Sequence, residues 1–184
     1  MAQKSLSKIS KFMSYILRHR PDVLSLDLDK EGWIDATLFL NRVNEHKSWT
    51  LSMEDIEDVV KADKKQRYAL RNGRIRANQG HSVDVNAVDQ TPVVPPDTLY
   101  HGTTDERWTL IRDSGGLNKM QRHHVHLSAD PQTAKQVGSR HRKEKLLLLH
   151  IDAAAMHKAG RLFFLSENGV WLTDTVPVEF IEAR

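Results

Sequence analysis

The sequence contains no cysteine, which excludes a disulfide framework, a thiolate nucleophile and any zinc–thiolate site. No run of about eighteen apolar residues occurs, so no stretch suits a membrane-spanning helix, and no membrane partner is expected. Met1-Ala2-Gln3-Lys4 lacks the apolar core of a signal peptide, and a cytoplasmic protein is the expectation. An excess of one charge is missing too: 27 Lys and Arg stand against 24 Asp and Glu, a formal net charge of +3. That excludes a histone-like basic coat. With a pI of about 9.2, any nucleic acid would be held by a local patch.

What is present begins with a helical pattern. Leu6, Ile9, Phe12, Met13, Ile16 and Leu17 recur at spacings of three and four, which places them on one side of a helix. Pro21 has no N–H and disfavours helix in the residue before it, so the helix stops near Arg20. Arg18, His19 and Arg20 therefore sit on its last turn. Cations there complement the helix dipole; they could equally serve an anion.

Asp27 to Ile34 reads as a turn feeding a short strand, and Asp35 as the N-cap of a helix over Ala36–Glu45 carrying Leu38, Leu40 and Val43. Ser52 and Asp55 resemble a capping box opening a third helix with Met53, Ile56, Val59 and Val60. Asn72-Gly73 then joins two alternating runs, Arg67–Arg71 and Arg74–Ala77, as a hairpin. Three helices followed by a hairpin is the winged-helix order, and residues 1–82 are expected to form that lobe. Residues 83–97, with three prolines between Pro92 and Pro96, read as an extended connector.

Residues 98–184 alternate short strands and helices. Strands are expected at Thr98–Thr103, His123–Ser128, Lys145–Ile151, Leu162–Phe164, Gly169–Thr173 and Val178–Ile181. Helices are expected at Asp105–Asp113, Asp130–Val137 and Ala153–Lys158. The apolar run at 145–151 suits a central strand. Without long crossover helices, the class is α+β. Trp33, Trp108, Trp171, Tyr100, Phe163 and Phe164 sit in apolar contexts and are expected in the core.

Several clusters could carry chemistry. In His101-Gly102-Thr103 a glycine admits close approach to the backbone, between an imidazole and a hydroxyl. Asn168-Gly169 reads as a turn before a strand. On a strand His124 and His126 would point the same way, with His101 as a third imidazole, which invites zinc. No carboxylate or thiolate is spaced to complete a ligand set, so no metal is expected. Gly138 to Lys143 is a basic loop containing Arg140 and Arg142, either solvated surface or a phosphate contact.

Taken in order, these pieces resemble the NAD-dependent RNA 2′-phosphotransferases, also called tRNA 2′-phosphotransferases, over nearly the whole chain. The motifs are Ser10-Lys11-Phe12 through Leu17-Arg18-His19 with Gly32-Trp33; Lys64-Lys65-Gln66-Arg67-Tyr68; Ile75-Arg76-Ala77 with Gln79-Gly80-His81-Ser82; Leu99 to Thr103; Arg122 to Ser128; and Glu167 to Thr173. Each is weak alone, but their order is specific.

The resemblance implies a winged-helix lobe joined to an ADP-ribosyltransferase-like lobe, with the active site in the cleft between them. It implies transfer of an internal RNA 2′-phosphate, as left in tRNA splicing, to NAD through an ADP-ribosylated RNA intermediate. The products are repaired RNA, nicotinamide and ADP-ribose 1″,2″-cyclic phosphate. The family's essential tetrad maps onto Arg18, His19, Arg67 and Arg122. Tyr100, His101, Gly102, Thr103, Ser128, Asn168 and Gly169 would position NAD, while Arg71, Arg140 and Arg142 would meet phosphate or RNA. A monomer is expected.

Two other classes fit the same features. One is a winged-helix nucleic-acid-binding protein without catalysis, its hairpin arginines gripping phosphates. The other is an ADP-ribosyltransferase acting on terminal phosphates or protein. Against the latter, no carboxylate lies on the strand around Val170-Trp171, and Glu167 precedes the turn.

Overall fold

The first helix, α1 (Leu6–Arg18), buries Ile9, Met13, Ile16 and Leu17, the side marked by the three–four spacing. Pro21 ends it and opens a single 3-10 turn over Pro21–Leu24. The computed structural model describes residues 5–85, 91–139 and 145–184. Arg140, Arg142 and part of the expected connector lie outside the described residues. The chain divides into two compact units, residues 1–88 and 89–184.

In the first unit, β1 (Ile34–Asp35), α2 (Ala36–Lys47), α3 (Met53–Ala62), β2 (Tyr68–Arg71) and β3 (Arg74–Ala77) follow α1. Local side-chain chemistry sets their ends. Asp35 Oδ1 accepts from Leu38 N at 2.7 Å and caps α2. At α3 the capping box is complete: Asp55 N donates to Ser52 Oγ at 3.2 Å and Ser52 N to Asp55 Oδ2 at 2.8 Å. Asn72 and Gly73 have φ of 51° and 71°, both left-handed, as a two-residue hairpin turn demands. The strands pair antiparallel in the order β1-β3-β2. Met13, Ile16, Leu17, Phe39, Val43, Ile56 and Ile75 form the centre of this core. One detail of α2 differs from the sequence reading: Ala36, Phe39 and Val43 face inward, while Leu38 is 41% exposed.

The second unit contains β4 (Thr98–Thr104), α4 (Asp105–Asp113), β5 (Gly116–Asn118), β6 (Val125–Leu127), α5 (Pro131–Gly138), β7 (Leu146–Asp152) and α6 (Ala153–Lys158). It ends with β8 (Phe164–Leu165), β9 (Trp171–Thr173), β10 (Thr175–Pro177) and β11 (Ile181–Ala183). The sheets run β11-β7-β4, β6-β9-β8 and β10-β5, every pairing antiparallel. As the apolar run predicts, β7 is central, with Leu149 and Ile151 fully buried. An isolated bridge between Tyr100 and Ser128 links β4 to the end of β6. The chain is thus a mixed α and β protein of small antiparallel sheets.

Four expectations are corrected. The strand expected from His123 begins only at Val125. A turn closed by Arg122 N on Lys119 O precedes it, so His124 shares no strand face with His126. Phe164–Leu165 is all that pairs of the expected strand at 162–164. Val178–Phe180 is a 3-10 turn, set by Pro177 before it and by Val178 N bonding Gly115 O at 2.9 Å, and pairing resumes at Ile181. Of the aromatic residues expected in the core, Phe163 and Trp171 are buried, but Trp33, Tyr100, Trp108 and Phe164 are half-buried. Trp33 lends its ring face to the Arg76 guanidinium, 4.7 Å from the centroid.

Candidate active-site residues

In the first unit one short segment bonds to three of the four residues expected to form the tetrad, Arg18, His19 and Arg67. The segment is 78–82, leaving β3. At its start Asn78 N donates to Arg67 O at 2.8 Å, and Asn78 Nδ2 to Gln66 O at 2.8 Å. At its end Ser82 N donates to Arg18 O at 2.9 Å. The Ser82 hydroxyl lies 2.9 Å from His19 Nδ1. Tyr68 adds a tie between α1 and β2, its hydroxyl donating to Ser10 O. Arg18 and His19 at the end of α1, and Arg67 at the start of β2, are therefore fastened to the same five residues.

Arg67 carries a further restraint. Its Nη1 donates to Asp63 Oδ1, and its main-chain N donates to Asp63 Oδ2 at 2.7 Å. Arg71 lies directly opposite Arg74 at the hairpin tip, an unfavourable like-charge pairing. Arg74 turns its charge to Asp29, Nη2 to Oδ2 at 2.7 Å.

In the second unit Arg122, the fourth residue of the expected tetrad, sits among imidazoles. Arg122 Nη1 is 3.1 Å from His126 Nδ1. Guanidinium can only donate, so His126 accepts there and is neutral. His101 Nδ1 lies 3.1 Å from His126 O; a carbonyl can only accept, so His101 holds its proton on Nδ1. Burial drives the His101 pKa below the usual imidazole value of 6.5, the His126 carbonyl opposes this, and the Arg122 charge adds to the lowering. The His124 pKa is also lowered, first by burial and then by His123 and Lys119, against Asp174. Its ring lies against Phe164, centroids 5.6 Å apart.

Strand alternation fixes what Gly102 presents. Leu148, its partner on β7, exchanges both main-chain hydrogen bonds with Arg184, at 3.1 and 3.0 Å. The Gly102–Leu148 pair is therefore a non-hydrogen-bonded one, and the N–H and C=O of Gly102 point away from β7. They share an edge with those of Tyr100, which exchanges bonds of 2.8 and 2.9 Å with Ser128. The side of Gly102 where a Cβ would stand is taken by α5, 2.1 Å from Ala134 O. Its lack of a side chain thus serves helix packing, while its polar edge stays in line with Ser128. Thr103 is buried.

Asn168-Gly169 joins this region through the sheet. Leu127 pairs with Trp171, so Ser128 and the turn before β9 lie at one end of β6-β9-β8. Ser166 shapes that turn, its hydroxyl 2.8 Å from Asn168 Oδ1 and its carbonyl accepting from Gly169 N at 2.9 Å. Gly169 has a φ of 76°, natural only for glycine.

The structure thus brings Arg18, His19 and Arg67 together in one unit, and Tyr100, His101, Gly102, Arg122 and Ser128 in the other, with the Asn168-Gly169 turn at the same sheet end. Among the described residues no group of three His, Asp or Glu side chains could hold a metal ion. No helix of the described residues is long and apolar enough to cross a membrane. Sequence reasoning missed Asp63, Ser82 and the pairing of His126 with Arg122. Ser82 lies within the Gln79-Gly80-His81-Ser82 motif, the one signal that pointed toward it.

Guanidinium and imidazole groups, held in place by hydrogen-bonded frames, are the equipment of proteins that handle phosphate groups. Comparison with known proteins narrows that class. The chain belongs to the RNA 2'-phosphotransferase, Tpt1 / KptA family, whose model matches residues 4–175. It is 48% identical over 182 residues to a "Probable RNA 2'-phosphotransferase" of Rhizobium leguminosarum bv. trifolii, covering 98% of this chain and 96% of that one. A protein of the same name from Nostoc punctiforme is 45% identical over 99% of both chains. Another, from Fusobacterium nucleatum, is 44% identical over 95% of this chain and 97% of its own length.

Proposed function

We propose that this protein removes an internal 2′-phosphate from RNA and transfers it to NAD, as an NAD-dependent RNA 2′-phosphotransferase. In this reading the first unit is a winged-helix RNA-binding lobe and the second an ADP-ribosyltransferase-like lobe. The observation that carries the reading is the fastening of Arg18, His19 and Arg67 to the single segment 78–82.

NAD supplies an electrophilic ribose carbon and a leaving nicotinamide. The 2′-phosphate is already an anion at neutral pH, so no general base is needed for its attack. What the chain must supply is orientation and neutralisation of charge. Arg18, Arg67 and Arg122 offer planar, positively charged forks to phosphoryl oxygens. They hold the transferring phosphate and spread its charge as the ribose O2″ attacks phosphorus and the RNA 2′ oxygen departs. His19, restrained by Ser82, either contacts the same phosphate or delivers a proton to that departing oxygen.

The β4 edge supports the NAD half of the reading. Gly102 offers an N–H donor and a C=O acceptor side by side, the complement of the nicotinamide carboxamide. Neutral His101 offers Nε2 as an acceptor to a ribose hydroxyl. Tyr100, Thr103, Ser128 and the Asn168-Gly169 turn frame that ligand, and Arg71, Arg140 and Arg142 contact RNA or pyrophosphate.

The test is to incubate the protein with NAD and a short RNA carrying an internal 2′-phosphate. Nicotinamide release that requires the 2′-phosphate, with 2′-OH RNA as product, supports the reading. ADP-ribose retained on the acceptor would make the protein an ADP-ribosyltransferase. RNA binding without NAD consumption would make it a binding module.

A further inference from the structure

The turn between α3 and β2 is built around one carboxylate. Asp63 caps the C-terminus of α3, and Gln66 N bonds its main-chain oxygen at 2.8 Å. Its side chain then closes the turn, accepting from Arg67 N at 2.7 Å and from Lys65 N at 3.3 Å. Gln66 takes a φ of 44°, a conformation unusual outside glycine and asparagine, and the turn holds it there. The Asp63 side chain is 5% exposed, whereas that of Arg67 is 28% exposed. A carboxylate this buried is stable only when its oxygens are matched by donors, and the Arg67 Nη1–H is one of them.

Guanidinium has five N–H groups in one plane. Contact with Asp63 uses Nη1 and fixes that plane relative to the turn, leaving the rest of the fork to partners on the exposed side. A long arginine side chain forfeits substantial rotamer freedom when it is ordered; here Asp63 imposes that order before any substrate arrives. A phosphate would then meet a guanidinium already oriented.

We infer that Asp63 is a positioning residue for phosphoryl transfer: it pre-sets the Arg67 guanidinium so that its free edge engages the transferring phosphate. The inference rests on the proposed role of Arg67. A positioning residue of this kind acts mainly on the transition state, where geometry is most exacting, and less on RNA binding.

The test uses the full chain with Asp63→Asn, which keeps the shape of the side chain and one oxygen to accept from Arg67 N, but removes the charge and puts an amide NH2 where an oxygen faced Arg67 Nη1 and Lys65 N. Asp63→Glu keeps the carboxylate and displaces it. For Asp63→Asn we expect kcat to fall ten- to a hundredfold with KM for RNA within about twofold, and an unchanged circular dichroism spectrum. Asp63→Glu should lie between it and the wild type. Nitrogen-15 NMR of the arginine side chains, without substrate, gives a readout besides activity. The Arg67 Nη resonances should be separate in the wild type, because rotation is hindered, and averaged in Asp63→Asn. A wild-type kcat in Asp63→Asn, or Arg67 Nη resonances unchanged by it, overturns the inference. If Arg67→Ala turns over at the wild-type rate, the role of Arg67 itself fails. The NMR comparison then shows whether the restraint exists independently of catalysis.

Discussion

Gly102 and Gly138 meet backbone to backbone. A Cβ on Gly138 would stand 2.6 Å from the carbonyl carbon of Gly102, and one on Gly102 would stand 2.1 Å from Ala134 O. This contact seats α5 on β4, and it keeps the polar edge of Gly102 beside Ser128. Neither obstacle is the flexible end of a side chain, so relief requires the helix to lift from the strand.

Gly102→Ala and Gly138→Ala should therefore each destabilise the second unit by about 1–3 kcal/mol or more, the usual cost of overpacking. Urea denaturation measures it. Because the displaced helix packs on the residue that presents the proposed NAD edge, KM for NAD should rise as well. Wild-type stability in both variants would contradict the close approach.

Ser82→Ala should leave the fold intact and lower turnover about fivefold, because it removes the hydroxyl 2.9 Å from His19 Nδ1. One such hydrogen bond is worth about 1 kcal/mol, the free energy of about a fivefold rate change. Ser82→Thr retains the hydroxyl and should retain most of the activity. Steady-state kinetics with a 2′-phosphorylated RNA checks both.

His101 should titrate below 6.5 and carry its neutral-state proton on Nδ1. The unfolded chain then binds the proton at a higher pH than the folded one. Its contribution to stability is complete above about pH 6.5 and diminishes as pH falls from there toward the folded pKa. Imidazole carbon and nitrogen shifts across pH 5–8 report both pKa and tautomer. Titration at or above 6.5 would contradict the burial and the Arg122 proximity that depress it.

Ser52→Ala should cost about 1 kcal/mol by removing half of the α3 capping box, measurable by denaturation, with kcat unchanged. It separates the stability of α3 from the function of the turn that follows it.

Much of the architecture was legible because local chemistry dictates it. Asp35, the Ser52–Asp55 pair and Asn72-Gly73 act on main-chain groups within three residues of themselves, and each did in the structure what its residue type implies. The bounds of the two- and three-residue strands β8 and β11 were not legible. So short a strand exists only through partners far along the chain, as when Ile181 pairs with Ile151. The site shows the same division. Arginines and histidines stood out as residue types, whereas their holders did not. Ser82 reaches His19 across 63 positions, and Asp63 reads from sequence as one more acidic residue at a helix end. His124 was misplaced because a turn before β6 delays the strand.

The central claim is that the phosphate moves from RNA to NAD, and following the phosphate itself tests it most directly. A short RNA carrying a phosphorus-32 label only in its internal 2′-phosphate is incubated with the protein and NAD. The account predicts that the label leaves the RNA and is recovered in ADP-ribose 1″,2″-cyclic phosphate, matched by an equal amount of nicotinamide. Recovery of the label as inorganic phosphate, with NAD unconsumed, would contradict it.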